Sequence, residues 1–457
     1  MLRDYVFHDF TRSLCSKCGE LCDAKIIVKG GSAFLLKNCL THGEEIEVFE
    51  EDASYLFERH AFDKPGNAIR PDVKVGRGCP YDCGLCPDHE QHTCIGLIEV
   101  TQHCDLGCPV CYARAGTGEP LSVERIDAMM EFYKVREGGK PEILQLSGGE
   151  PTTHPQIEEI LRLAKKKKFK YVMLNTNGLR IAREPEFAEF LGTLTPGFEV
   201  YLQFDGVTDK VHQKLRGAKL HDIKLQAIAN LTRARVPITL VATIARGVND
   251  TQIGDIVRFG MATDYVRGVN FQPVAYFGRG STAERKNRTT LSGIRREIER
   301  QTDGLIRKDD IVPLPCDIDR VAVTYAIKTD GVYVPVMRKV RLEGYLELID
   351  NTMDFRAEDL VKNAVKSALT KGVACDCFRL KDEISEILPA GYLTWTPRQR
   401  AEFIDTNTFR ITISSFVDRY NFDAKSIRKE CVHIITPDLK RIPFSAYNML
   451  HRDGGLA

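Results

Sequence analysis

Ile95-Gly-Leu-Ile-Glu-Val-Thr101-Gln-His103-Cys104-Asp-Leu-Gly-Cys108-Pro-Val-Cys111-Tyr112 is the stretch from which the rest of the chain can be read. It opens as an apolar run of strand length and ends in three cysteines spaced Cys-x3-Cys-x2-Cys. Thiolates at that spacing can wrap three irons of a four-iron cube and leave its fourth corner open or held by a more distant ligand. In a parallel α/β sheet, ligands bind at the carboxyl ends of strands, which is where this triad falls.

Downstream, short apolar strands are predicted at 97–101, 143–146, 171–174, 199–204, 238–244 and 268–272, alternating with helices. Ile126, Met129, Met130 and Tyr133 fall on one helical face, and Ile157, Ile160, Leu161 and Ala164 repeat the pattern. Six β/α units of this kind predict an α/β fold, a parallel sheet curled into an open partial TIM barrel, (β/α)6. A flat doubly wound sheet is the competing arrangement, but no glycine-rich dinucleotide fingerprint supports it. After the second strand comes Ser147-Gly148-Gly149-Glu150-Pro151, after the third Asn175-Thr176-Asn177-Gly178, and after the fourth Asp205-Gly206. Each is a small polar loop at the end expected to bind ligands. On its own Gly-Gly-Glu-Pro reads as a turn; one strand after a cysteine triad it reads as part of a site.

Upstream, Cys79, Cys83 and Cys86 repeat the triad spacing, but Lys74-Val-Gly-Arg-Gly78 before them is no strand. Cys94, eight residues beyond Cys86, is placed to close this cube. The Cys79 site is therefore expected to be a filled auxiliary cluster and the Cys104 site the open, reactive one. Nearer the start, Cys15-x2-Cys18-Gly and Cys39-x2-His42-Gly flank a predicted hairpin at 24–28 and 32–37. Two such knuckles suit one tetrahedral metal ion, iron or zinc, with Cys22 a weaker competitor for the place of His42. The organisation expected is 1–60 as a rubredoxin-like or zinc-ribbon-like metal-knuckle domain, 61–94 as the auxiliary cluster segment, 95–280 as the barrel, and 281–457 as an α+β extension.

Composition agrees with metal rather than disulfides. Eleven of the 15 cysteines precede residue 112, crowded beside Gly, Pro and Asp. With 64 basic against 63 acidic side chains, no overall field attracts nucleic acid, and the Lys165 to Lys168 run is a solvated helix end. No apolar stretch is long enough to span a membrane and the start lacks a signal-peptide apolar region, so a cytoplasmic location is expected. His212 and Arg216 read as surface helix residues, Gln272 and Arg279 as candidates to close the site, and Trp395 as core.

The triad with Gly148-Gly149-Glu150 resembles the radical S-adenosylmethionine (SAM) superfamily, although the aromatic usual before the last cysteine is here Val110, and Tyr112 follows instead. The resemblance implies that Cys104, Cys108 and Cys111 bind three irons and SAM chelates the fourth. It puts Tyr112, Gly148, Gly149, Glu150, Asn175, Asn177 and Thr243 around SAM. A closer resemblance, to the archaeal tetraether lipid synthase family once described as dihydropterin methyltransferases, rests on several segments. They are Cys39-Leu-Thr-His42-Gly, Gly78-Cys79, His103-Cys104 through Tyr112, Tyr420-Asn-Phe-Asp, Cys431-Val-His433 and Ile442-Pro-Phe-Ser-Ala-Tyr-Asn448. It implies coupling of inert methyl carbons of lipid chains, a lipid substrate met at the membrane surface by a peripheral protein, and a low-potential donor such as ferredoxin or flavodoxin. It also implies a mononuclear metal and a second auxiliary cluster. For that cluster Ser445 stands where a cysteine is usual, leaving Cys316, Cys375, Cys377 and Cys431 as candidates. Methylation of a small heterocycle such as a pterin is the alternative activity, and a non-catalytic electron-transfer protein the alternative class.

Overall fold

The computed structural model describes residues 3–66, 69–282, 288–329, 331–340, 346, 351–353, 388–389 and 391–452. Cys375 and Cys377 lie outside the described residues.

The chain opens as a four-stranded antiparallel sheet of β1 (Val6–Leu14), β2 (Leu21–Lys29), β3 (Ser32–Cys39) and β4 (Gly43–Glu50) in sequential order. Alternation puts Ala24, Ile26, Ala33, Leu35 and Phe49 on one face, where Ala53 and Leu56 of the segment running into α1 (Ser54–Glu58) cover them. The expected hairpin at 24–28 and 32–37 is the β2–β3 pair.

The second sheet is the body of the protein. Strands β5 (Ile95–Thr101), β6 (Ile143–Gly148), β7 (Tyr171–Thr176), β8 (Phe198–Gln203), β9 (Ile238–Ile244) and β10 (Val266–Pro273) pair in parallel in that order. They are the six strands expected, each within a few residues. Helix α2 (Val123–Arg136) starts where the Ser122 hydroxyl accepts the Arg125 amide, and buries Ile126, Met129, Met130 and Tyr133 against the sheet. Helix α3 (Ile157–Lys166) buries Ile157, Ile160, Leu161 and Ala164 in the same core. Then follow α4 (Leu179–Arg183), α5 (Pro185–Gly192), α6 (Asp209–Arg216), α7 (His221–Arg233), α8 (Ile253–Ala262) and α9 (Leu291–Gln301).

The barrel is longer than the six units. At one edge β14 (Thr408–Ser414) runs parallel to β10 and is backed by antiparallel β12 (Val321–Thr329), which carries β11 (Val312–Pro313) and β13 (Val332–Pro335). At the other edge β15 (Val432–Ile435) runs parallel to β5 and pairs with β16 (Arg441–Pro443). Among the described residues the two ends of the sheet are not joined, so the barrel is open. Strands from beyond residue 280 therefore pair directly with both edges of the 95–280 unit.

Candidate active site and metal centres

The Cys104 loop leaves β5 and is held from below by the loop that leaves β6. Gly149 N–H donates to Thr101 O at 2.7 Å and Glu150 N–H to His103 O at 2.8 Å. A Cβ on Gly149 would lie 2.2 Å from His103 O, so the approach of the two backbones requires glycine there. Glu150 is buried, and its carboxylate is fully engaged. One oxygen accepts from Thr152 N at 3.1 Å, Thr152 Oγ1 at 2.6 Å and Thr176 Oγ1 at 2.6 Å, the other from Asn177 N at 2.7 Å. Asn177 passes the tie onward, donating through Nδ2 to Asp105 Oδ1 at 2.6 Å within the cysteine loop. Gly148, Gly149, Glu150 and Asn177 thus knit three strand-end loops beneath the triad.

Cys111, Tyr112, Asn175 and Thr243 line a cavity of roughly 210 Å³ inside the barrel. Asn175 Nδ2 donates to Ser147 Oγ at 3.0 Å, and the Tyr112 hydroxyl lies 3.4 Å from the same oxygen. Val110, Phe277, Phe416 and Phe444 give the wall beside Cys111 and Tyr112 an apolar character; the Tyr112 and Phe444 rings are 5.1 Å apart and the Phe416 and Phe444 rings 4.4 Å apart. Elsewhere the lining mixes aliphatic side chains such as Leu97, Met173 and Val241 with the polar groups of Gln145, Asn270, Gln272, Asp317 and Glu430. Burial pushes the Glu430 carboxyl up to about 8.

Two arginines hold the cysteine loop from above. Arg279 donates from Nε to Cys108 O at 2.9 Å, from Nη1 to Ala115 O at 2.9 Å and from its backbone N–H to Cys111 O at 2.9 Å. The turn that aims it requires Gly278, whose φ is +60° and whose Cβ would sit 2.2 Å from Cys111 O. Arg216 is buried, contrary to the surface expectation. It grips Asp205 through two bonds of 2.7 and 2.6 Å, reaches Thr243 Oγ1 at 2.9 Å and places its charge beside the Cys108 sulfur. Burial alone would raise the Asp205 carboxyl, but this guanidinium holds it below its ordinary value. His212 is likewise interior, 0% exposed, with Nε2 donating to Gly206 O at 3.1 Å. Both residues lie on the helix that follows Asp205, and it is the burial of that carboxylate, which needs a cation beside it, that draws Arg216 inside.

Burial pushes the Cys104 thiol up to about 12 and the Cys108 thiol upward as well. Thiolates in such a place are stabilised by a metal, so the donor set and its burial fit an iron-sulfur cluster. Cys79, Cys83 and Cys86 line a separate small pocket with Asp88, His89 and Arg428. The loop before them is turned by Asp82, whose Oδ2 accepts the Gly76, Arg77 and Gly78 amides at 2.5 to 2.6 Å. Cys94 is not among the residues of that pocket. The structure brings it to Cys316 and Cys431, with all three Sγ atoms within 4.8 Å of one another. The reason is strand pairing: β15 lies on β5, so Cys431 and Cys94, at the starts of these strands, become neighbours.

In the first sheet Cys15, Cys18, Cys39 and His42 form one group with every donor atom within 4.8 Å. His42 Nδ1 lies 3.5 Å from Cys15 Sγ and 3.7 Å from Cys39 Sγ, and the Cys18 and Cys39 sulfurs are 3.8 Å apart. A tetrahedral ion bound to sulfur and nitrogen sets such edges at about 3.8 and about 3.6 Å. Burial opposes ionisation of Cys15, but backbone amides of Cys18 and Lys17 outweigh it and bring that thiol down to about 6. Cys22 is buried beside them with its thiol pushed up to about 11.

Residues 98–260 match the family model described as the radical SAM superfamily, and residues 7–51 match the HMPTM N-terminal zinc ribbon domain. A protein of Methanocaldococcus jannaschii named 7,8-dihydro-6-hydroxymethylpterin dimethyltransferase is 32% identical over 97% of this chain and 94% of its own length. A probable GTP 3',8-cyclase of Pyrococcus abyssi is 27% identical over 35% of this chain and 51% of its own. Streptococcus suis SuiB bound to its precursor peptide SuiA overlays 65% of this chain on 69% of its own, at 14% identity and a TM-score of 0.41. With a relative a third identical along nearly its whole length and the family's own model on its barrel, the chain belongs to the radical SAM superfamily.

Proposed function

We propose that this chain uses the cluster held by Cys104, Cys108 and Cys111 to take hydrogen from an unactivated carbon of a substrate seated in the barrel cavity, for carbon-carbon coupling of lipid chains. Superfamily membership supports SAM cleavage and radical chemistry, and the lipid is proposed from the cavity wall. Cys104, Cys108 and Cys111 would hold a four-iron cluster that, with SAM beside it, would supply the one-electron chemistry needed to take hydrogen from an unactivated carbon. The residues of the chain orient and enclose. Arg279 and Glu150 fix the cysteine loop from opposite sides, Asn175 and Thr243 offer polar contacts for the ribose or adenine, and Arg216 places a positive charge beside Cys108.

The observation that favours a hydrocarbon substrate is the apolar wall of Val110, Phe277, Phe416 and Phe444 next to Cys111 and Tyr112. A second reading, methylation of a pterin-like heterocycle, is favoured by the amides of Gln145, Asn270 and Gln272 in the same cavity, and agrees with the name of the M. jannaschii relative. Among the described residues no helix is long and apolar enough to cross a membrane, so a lipid would be met at a surface.

The test is anaerobic reduction with dithionite in the presence of SAM and either an isoprenoid lipid deuterated at its terminal methyls or a deuterated dihydropterin. Deuterium appearing in 5′-deoxyadenosine from the lipid supports the first reading, and from the pterin the second. The Cys108→Ala variant is expected to form no 5′-deoxyadenosine while keeping the iron of the Cys79 site; full residual cleavage would remove the Cys104 triad from its role.

A further inference from the structure

Cys94, Cys316 and Cys431 come from three segments far apart in the chain and are buried, at 0%, 1% and 0% exposure. Their sulfurs all lie within 4.8 Å of one another, with Cys316 and Cys431 3.6 Å apart. One tetrahedral ion at a metal-sulfur distance of about 2.3 Å sets its sulfurs about 3.8 Å apart. A four-iron cube instead seats each cysteine on a different iron and spreads the sulfurs more widely. The molecule contains its own standards for both. The ribbon site of Cys15, Cys18, Cys39 and His42 gathers within the same 4.8 Å, whereas neither Cys-x3-Cys-x2-Cys triad forms such a group among the described residues. The three sulfurs gather as the ribbon donors do, while a fourth donor, His92, groups with Cys94 and Glu142 and not with Cys316 and Cys431.

We propose that Cys94, Cys316 and Cys431 bind a single tetrahedral zinc ion, with His92 as fourth ligand, where the lipid synthase resemblance implies a third cube. His92 Nε2 lies 3.8 Å from Cys94 Sγ. The other ring nitrogen, Nδ1, donates to Gln91 Oε1 at 3.2 Å, so Nε2 is the nitrogen that would release its proton, now facing Glu142 Oε1 at 3.4 Å, and take the metal. Gln91 in turn donates from Nε2 to Cys316 O at 2.9 Å, so one side chain orients a ligand ring and anchors the backbone of another ligand. Glu142 is the competitor, since its Oε1 lies 3.4 Å from His92 Nε2. Its other oxygen accepts the Thr352 hydroxyl, and a site already holding three sulfurs suits imidazole better than carboxylate. Binding turns the His92 ring from Glu142 toward the sulfurs. The ion has no redox role. It fastens the Cys316 turn and the start of β15 to the start of β5, where Cys94 and Ile95 amides already donate to Cys431 O at 3.0 and 3.2 Å.

The experiment counts iron, zinc and acid-labile sulfide per chain after anaerobic purification from medium containing both metals, with zinc-edge X-ray absorption on the unaltered protein. The expected result is about eight irons with about eight sulfides, two cubes' worth, and about two zincs per chain, the ribbon ion and this one, each in a shell of three sulfurs and one nitrogen; about one zinc would overturn the proposal. The Cys316→Ala/Cys431→Ala variant should lose one zinc and no sulfide. His92→Ala should weaken zinc retention against a chelator by at least about tenfold, while Glu142→Gln and Cys375→Ala/Cys377→Ala leave it unchanged. About twelve irons matched by sulfide, falling by four in the Cys316/Cys431 variant, would overturn the proposal in favour of a cube. Loss of zinc from the Cys375/Cys377 variant would overturn the assignment of His92. Because the unaltered protein gives the metal count and shell, the outcome stands even where a variant fails to fold.

Discussion

His212 carries a pH dependence whose sign follows from its surroundings. Burial, chiefly, pulls its imidazole down to about 4, and the nearby Asp205 carboxylate only partly opposes this. The unfolded chain gives the same group its ordinary value of about 6.5. Between those values the unfolded state binds more protons than the folded one, so stability rises with pH through this window and falls as pH drops from about 6.5 to about 4. His212→Asn, retaining a donor for Gly206 O, is expected to flatten the slope of unfolding free energy against pH there. Urea titrations at several pH values check it, and an unchanged slope would show that another group carries the dependence. Neither His212 nor its neighbour Arg216 was legible as interior from the sequence. Helix α6 reads Asp-Lys-Val-His-Gln-Lys-Leu-Arg, mostly polar, and its burial depends on Asp205 presenting a carboxylate from the end of another element. The cysteine triad, by contrast, was legible because its chemistry is contained in eight consecutive residues. Cys94 was misassigned on the same logic: nearness to Cys86 in sequence was set against a partner hundreds of residues away.

At the scale of elements, the reactive loop is an irregular segment held by its neighbours. The β6 loop supports it through Gly149 and Glu150, and the segment after β10 covers it through Gly278 and Arg279. Arg279 makes two side-chain bonds to carbonyls on either side of Cys111, so it fixes the loop's curvature as well as its position. Arg279→Met keeps the side chain's apolar stem but removes both bonds. Each leaves a carbonyl to find another donor, at about 1 to 3 kcal/mol when buried. The expected result is a protein that folds and retains the ribbon metal but purifies with about four fewer irons, or loses them quickly in air. Iron and sulfide analysis before and after timed exposure to oxygen decides it; full iron with unchanged lability would mean the cysteines alone shape the loop. Gln272 and Arg279 were noted in the sequence as residues that could close the site, but the clamp on carbonyl oxygens is a backbone contact with no side-chain motif to announce it.

For the whole molecule, the instructive element is the carboxyl-terminal part. The six central strands were readable because each is a short apolar run followed by a helix, whereas β14 is Thr-Phe-Arg-Ile-Thr-Ile-Ser, alternating as a half-exposed strand does, and β15 has four residues. Their places at the two edges of the barrel depend on pairing across a long sequence separation, which periodicity does not encode. Arg441 of β16 shows how strongly that pairing is fixed. It is 1% exposed and donates to Asp72 from Nε at 2.9 Å and Nη2 at 3.1 Å, to Glu137 from Nη1 at 2.5 Å, and to Arg70 O. One guanidinium therefore joins the segment before the barrel, the end of α2 and the carboxyl-terminal strands. Removing one member of a buried charge network leaves the others unpaired, at about 3 to 5 kcal/mol. Arg441→Met, which keeps the apolar stem, is expected to lower unfolding free energy by about that amount. Because α2 and Ile435 of β15 pack into the one core of the barrel, the loss should appear as a shift of a single cooperative transition, followed together by circular dichroism and by release of bound metal. A transition that splits, with the barrel melting after the carboxyl-terminal strands have left, would show that those strands fold as a separate unit and that Arg441 merely fastens them to it.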